Sequence, residues 1–202
     1  MKSILFICHG NICRSPMAEF VMKDLVKKAG LASQFHIESA ATSREEIGNP
    51  VYPPARRKLA EHGISCNGHA ARQLTNQDYD KYDLLIGMDS ANLRNMYRIC
   101  GGDFAGKLHL LMDYTDHPRD VADPWYTGDF EATWQDVLEG CQGLLDSIIM
   151  NEARFSNIFI EKRASSCPQS LEKSRFFSYP LLMSEGENSQ NVKRIFLRKV
   201  VI

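Results

Sequence analysis

The sequence predicts an α/β protein built on a four-stranded parallel sheet with helices on both faces. Three observations predict it. Strand-like runs recur at residues 3–7, 36–39, 84–86 and 108–112, and the first, Ile4 to Ile7, is continuously apolar, as suits a strand buried on both sides. Segments with apolar residues at helical spacing separate these runs, and strands that alternate with helices imply a covered parallel sheet. The composition is that of one ordinary globular chain: 202 residues, 44% apolar, with 24 Lys plus Arg against 25 Asp plus Glu.

Taken in order, the first strand breaks at His9-Gly10-Asn11, and Ser15-Pro16 then opens a helix, with Ser as the cap and Pro in the first turn. Met17, Phe20, Val21 and Leu25 repeat along that helix and Gly30 closes it. After the second strand, residues 50–62 hold a helix with Ala55, Leu59 and Ala60 inward, ended by Gly63. The third strand leads into a helix at 90–97. From Phe130 a long amphipathic helix places Trp134, Val137, Leu138, Cys141, Leu145, Ile148 and Ile149 on one face.

Beyond residue 151 the pattern fades. Eight serines, two prolines and scattered charge mark residues 152–202 as an irregular extension, disordered or loosely docked. Charge divides at the same place: residues 1–151 carry 15 basic and 20 acidic side chains, net −5, and residues 152–202 carry 9 and 5, net +4. This balance argues against a general nucleic-acid binder. Six cysteines (Cys8, Cys13, Cys66, Cys100, Cys141, Cys167) are too sparse for a disulfide scaffold and form no C-x-x-C pair. The N-terminal apolar run is too short for a signal peptide, and no stretch of 18 apolar residues exists. The expectation is a soluble protein of the reducing cytoplasm without membrane attachment.

Chemistry concentrates after the first strand. In an open parallel sheet, ligands bind at the carboxyl ends of the strands. The loop Cys8-His9-Gly10-Asn11-Ile12-Cys13-Arg14-Ser15 lies at such an end and leads directly into a helix. A loop of this length can curl so that successive N–H groups point inward, adding to the positive end of the helix dipole and making a nest for phosphate or a similar oxyanion. Arg14 can fold back and grip two oxygens with its planar fork. Cys8, surrounded by donors and positive charge, is set to act as a thiolate nucleophile, with Ser15 placed to bond to its sulfur. A lone C-x5-R is weak evidence, but here it follows a strand, contains Gly10 and precedes Ser-Pro and a helix.

A cysteinyl-phosphate mechanism needs a proton for the leaving group, usually from a carboxylic acid. Asp123-Pro124 is the best candidate, because Pro124 stiffens the loop and Trp125 and Tyr126 can wall a pocket for a ring-bearing substrate. Alone, Asp-Pro is most often a turn.

Together, Cys8 through Pro16 and Asp123-Pro124-Trp125-Tyr126 resemble the low-molecular-weight protein tyrosine phosphatase family. The likeness spans residues 3–150 and includes Ser39-Ala40-Ala41-Thr42-Ser43, Ile47-Gly48-Asn49-Pro50, His69-Ala70-Ala71-Arg72-Gln73 and Met88-Asp89. It implies that family's three-layer, Rossmann-like fold and hydrolysis of phosphotyrosine in proteins without metal or cofactor. It also implies roles: Cys8 as nucleophile, Arg14 as phosphate clamp, and Asp123 as general acid, then base. His9, Gly10, Asn11, Ile12, Cys13 and Ser15, with Trp125 and Tyr126, would surround the substrate, and Asn11 would hold the loop by bonding to Ser15, Ser39 and His69. A disulfide between Cys8 and Cys13 under peroxide is a further implication. Glu45 stands where many relatives place an aromatic on the pocket rim, and the extension departs from the family pattern.

Rival readings are addressed by particular residues. Arsenate reductases of this fold need a closely spaced cysteine pair, whereas Cys66 and Cys100 are 34 positions apart. Protein-arginine phosphatases tend to carry Thr where this chain has Ile12. A phosphotyrosine-binding module without activity would lack the nucleophile or the acid, and both are present. Gly101-x4-Gly106-Lys107 nearly spells a nucleotide phosphate loop, but Leu108 replaces the required Ser or Thr. An iron–sulfur motif begun by Cys8 and Cys13 would need a cysteine at residue 16, which is Pro.

Overall fold

Four strands, β1 (Lys2–Cys8), β2 (Phe35–Ala41), β3 (Leu84–Gly87) and β4 (Leu108–Leu110), form one sheet in the order β2-β1-β3-β4. Every pairing is parallel, with Phe6 opposite Ser39 and Ile86, and Cys8 opposite Ala41. The computed structural model describes residues 1–165.

Alternation along β1 divides the core. Ile4, Phe6 and Cys8 face the helices α1 (Arg14–Lys28), α2 (Pro53–Glu61) and α6 (Phe130–Ser165), meeting Met17, Val21, Leu59, Trp134, Val137 and Cys141. Leu5 and Ile7 face the opposite way, onto Leu74, Tyr82 and Met96, beside α3 (Asn76–Lys81) and α4 (Ser90–Cys100). The expected four parallel strands with helices on both faces are therefore all found. Because β2 and β3 flank β1 and the chain leaves β1 first toward one and then toward the other, the loop after β1 opens over the crevice where ligands bind in such sheets.

Local chemistry adjusts several expected boundaries. Cys13, not Ser15, occupies the cap position of α1, and Ser15 lies inside the first turn with its hydroxyl turned to Cys8. Pro16 fits there because first-turn N–H groups have no partner within the helix. β4 stops at Leu110, where the Asp113 carboxylate accepts the Leu110 N–H at 3.1 Å and turns the chain into a short 3-10 segment, Leu111–Tyr114. The helix α3 went unpredicted because it is brief and polar; Thr75 and Asp78 form its capping box.

The long helix is also longer than expected. α6 runs through Ser165, so regular structure continues past residue 151, where an irregular extension was expected to begin. Good helix formers such as Ala153, Arg154, Glu161 and Lys162 continue the helix, and no proline interrupts before Pro168. The rest of the expected extension, with Cys167, lies outside the described residues. Two glycines fix how α6 sits: a Cβ at Gly143 would lie 2.1 Å from the Tyr114 carbonyl oxygen, and one at Gly140 would lie 2.5 Å from Leu111 Cγ. Only glycine permits this approach to the turn after β4.

Candidate active site

The loop from Cys8 to Arg14 is shaped by where its carbonyls go. The carbonyl of Cys8 accepts from Thr42 N–H at 2.8 Å, that of His9 from Ser43 N–H at 3.0 Å, that of Ile12 from Tyr52 N–H at 2.8 Å and that of Cys13 from Met17 N–H at 3.1 Å. The Asn11 carbonyl meets His69 Nε2 at 2.8 Å. In a trans peptide the next N–H points opposite to the carbonyl. With five carbonyls turned outward and bonded, the N–H groups that follow them aim into the cleft, the geometry of an anion nest.

Asn11 is the pin of this arrangement. It has a φ of 58°, the left-handed region that Asn tolerates better than most residues. Its Nδ2 donates to Ser15 Oγ at 2.9 Å and to Ser39 Oγ at 2.8 Å, and its Oδ1 accepts from Arg72 N–H at 3.1 Å. Ser39 Oγ donates a hydrogen bond to Glu19 Oε2 at 2.5 Å, which leaves its lone pairs free to accept from Asn11. Glu19 is buried on α1, paired with Lys23 and 3.9 Å from His69 Nδ1.

Two groups converge on Cys8 Sγ: Asn11 N–H donates to it at 3.3 Å, and Ser15 Oγ shares a hydrogen bond with it at 3.1 Å. Ser15 Oγ accepts from Asn11, and its own proton has both the sulfur and, at 3.4 Å, the Ala40 carbonyl within reach. The neighbouring Cys13 thiol is pushed up to about 12, first by burial and then by proximity to Cys8.

Arg14 is 3% exposed and reaches two carboxylates: Nη1 donates to Asp89 Oδ2 at 2.6 Å, and Nη2 forms an ion pair with Asp123 Oδ2 at 2.5 Å. Burial works against its charge, but Cys8, Asp123 and Asp89 outweigh burial and hold the guanidinium above its ordinary value. Each carboxylate divides its work in the same way. Asp89 Oδ1 caps α4 through Asn92 N–H at 2.6 Å, and Asp123 Oδ1 caps the short helix α5 (Pro124–Thr127) through Trp125 N–H at 3.0 Å.

The resulting cleft, about 190 Å³, is lined by Cys8, His9, Gly10, Ile12, Cys13 and Arg14 on the loop side and by Asp123, Trp125 and Tyr126 opposite. Thus nine expected residues meet at one surface. The side chains of Asn11 and Ser15 are completely buried, and Asn11 makes the expected contacts with Ser15, Ser39 and His69 that hold the loop. Their polar atoms are used in hydrogen bonds, Asn11 with Ser15, Ser39 and Arg72, and Ser15 with Asn11 and Cys8.

Several contributors were not predicted. Asp89 was visible only as part of a dipeptide, although Asp before Ser-Ala-Asn at a helix start is a cap signal that marks its position. Tyr52 supports Trp125, with ring centroids 5.6 Å apart. Glu46 joins Glu45, whose place on the rim was expected, in an acidic edge, and Glu45 Oε2 lies 3.2 Å from His9 Nε2. Glu19 carried no signal beyond being a charged residue on a helix face that turns out to be buried.

Comparison with known proteins decides the family. The model of the low molecular weight phosphotyrosine protein phosphatases matches residues 3–154. The chain belongs to that family. It is similar to the low molecular weight protein-tyrosine-phosphatase YfkJ of Bacillus subtilis, 41% identical over 150 residues, spanning 73% of this chain and 96% of that one. The human low molecular weight phosphotyrosine protein phosphatase is 37% identical over 150 residues, 72% and 94% of the two chains. Among solved structures, YfkJ aligns with a TM-score of 0.73 at 40% identity, over 75% of this chain and 96% of that one. The Drosophila arginine phosphatase aligns with a TM-score of 0.66 at 29% identity, over 73% and 98%. The model of the low molecular weight phosphatases reaches as far as residue 154 of the chain.

Proposed function

We propose that the protein is a protein-tyrosine phosphatase that hydrolyses phosphotyrosine in proteins, and small aryl phosphates, through a cysteinyl-phosphate intermediate. The observation that carries this reading is the convergence on one cleft of Cys8 Sγ with its two hydrogen-bond partners, the inward loop N–H groups, Arg14 and Asp123. Cys8 Sγ attacks phosphorus while the bond to the phenolic oxygen breaks, and Asp123 gives that oxygen its proton. Asp123 then takes a proton from water as the water attacks the phosphocysteine, releasing inorganic phosphate and restoring the thiolate. The N–H nest and Arg14 bear the equatorial charge in both steps, the largest single contribution to rate. This chemistry needs neither metal nor cofactor. The working compartment is the cytoplasm, and among the described residues no helix is long and apolar enough to cross a membrane.

The supporting residues act through the loop. Asn11, Ser15, Ser39 and His69 hold its strained backbone, and His9, Gly10, Ile12 and Cys13 present its N–H face to the phosphate. Trp125, backed by Tyr52, and Tyr126 flank the leaving group, a setting that suits an aromatic ring.

The arginine phosphatase reading is the rival, because a protein with that activity shares the fold. Ile12 and the aromatic wall favour the phenolic ester over a guanidinium phosphate. Turnover of an aryl phosphate in excess chelator tests the mechanism: it should persist in the native protein and vanish in Cys8→Ser, and survival in that variant would overturn it. Phosphotyrosine and phosphoarginine peptides presented in parallel test the substrate. A clear preference for phosphoarginine would overturn the substrate while leaving the chemistry intact.

A further inference from the structure

We propose that Thr133 and Asp136, side by side on α6, are positioning residues that aim the Asp123 carboxylate by fixing both backbone polar groups of Ala122. The inference rests on the reading of Asp123 as the general acid and adds what holds it there. Asp123 stands on a stretch with little regular structure of its own, since α5 has only four residues. Ala122, its neighbour, is clamped from below: its N–H donates to Asp136 Oδ2 at 2.9 Å, and its carbonyl accepts from Thr133 Oγ1 at 2.9 Å. Thr133 Oγ1 also lies 3.2 Å from the carbonyl of Asp129, the residue just before α6.

Burial makes these contacts informative. Thr133 is 0% and Asp136 9% exposed, on a helix whose neighbouring residues Trp134 and Val137 belong to the apolar core. Polar groups placed there cost stability unless they are bonded. The bonds Asp136 makes all lead to one loop. Its second oxygen, Oδ1, meets Arg119 Nε at 3.1 Å and Nη2 at 2.7 Å, and Arg119 in turn donates to the His117 carbonyl at 3.0 Å and to Glu139 at 2.7 Å. Just before the clamp, Val121 N–H donates to the Met88 carbonyl at 2.8 Å, one residue from Asp89. The chain is thereby tied to the end of β3 on one side and to α6 on the other, immediately before the acid. With Ala122 fixed at both ends of its peptide groups, the direction in which Asp123 leaves the backbone is fixed as well. Displacement of a reacting group by about 1 Å can cost on the order of 10²-fold.

The test is leaving-group dependence. kcat/KM for a series of aryl phosphates reports the step in which the leaving group departs, the step that uses the acid. Thr133→Val and Asp136→Ala should lower it by about 10- to 100-fold for the most basic leaving groups and by less than about 3-fold for the least basic, whose departure needs little proton donation. Thr133→Ser should restore the native dependence, and Asp136→Asn, which keeps an acceptor for Ala122, should lie between and serves where Asp136→Ala does not fold. In an Asp123→Ala background the α6 substitutions should add no further leaving-group dependence. Equal slowing across the series in the folded variants, with Asp123→Ala itself leaving-group dependent, would overturn the clamp alone. A series as flat in Asp123→Ala as in the native protein would overturn the acid assignment and the clamp together.

Discussion

The two halves of the site are built in opposite ways. The nucleophile's half is buried and internally bonded: Cys8 ends a central strand, Asn11 and Ser15 are fully buried, and every loop carbonyl with an identified partner is tied to a different flanking residue. The acid's half is exposed, with Trp125 and Tyr126 58% and 85% accessible, and is held from outside by α6 and Met88. The difference teaches a division of labour. A nest of dipoles must be preorganised, because its contribution comes from not having to rearrange, whereas the acid must admit a bulky ring and be held only at its root.

Arg14 joins the halves, so its loss should be the most severe break. Arg14→Ala removes the clamp on phosphate and leaves Asp89 and Asp123 without their shared cation; kcat/KM for aryl phosphates should fall by roughly 10³-fold or more, about 4 kcal/mol of transition-state stabilisation. Steady-state kinetics checks it, and a loss under about tenfold would mean that the nest alone carries the phosphate. Next comes a substitution confined to the nucleophile's half. Asn11→Ala forfeits three side-chain hydrogen bonds and puts a poorly suited residue at φ 58°. It should destabilise the fold by about 3 kcal/mol in urea titration, with a matching loss of activity.

Gly143→Ala probes the other half. The added methyl meets the Tyr114 carbonyl, so α6 or the turn must shift, costing about 2 kcal/mol, and because α6 carries the clamp, poor leaving groups should suffer more than good ones. Stability unchanged from the native protein would show that the turn yields freely. The smallest effect concerns Cys13. Its thiol is held at about 12 against an ordinary 9.0, so between those values the unfolded chain gives up a proton that the folded chain keeps. Stability therefore falls as pH rises through that window, by about 1 kcal/mol at pH 10. Cys13→Ser should flatten the decline measured by denaturation at pH 8 and pH 10.

How legible this was in the sequence follows the same divide. The strand runs, the helix of Trp134 and Val137 and the C-x5-R loop could be read directly, because burial on both sheet faces and helical periodicity write themselves into local order. Asp123 was found through its Pro and aromatic neighbours. What stayed hidden depends on contacts distant in the chain: Asp89 on Arg14, 75 residues away; Glu19 behind Ser39; and Asp136 beneath Ala122. No local pattern marks a polar residue whose partner is supplied by another element. The continuation of α6 to Ser165 was missed for a different reason: the apolar spacing weakens there although the helix-forming residues persist.

The alternation along β1 has one more consequence. Cys8 shares a face with Ile4 and Phe6, while Leu5 and Ile7 point to the other layer. Both faces are apolar, so a slip of one residue would still bury greasy side chains and could pass for native by its helix content, yet it would turn the sulfur toward α3 and α4, away from Arg14 and Asp123. Enzymatic turnover after refolding is therefore a count of molecules whose central strand found its proper register, a distinction that circular dichroism cannot make.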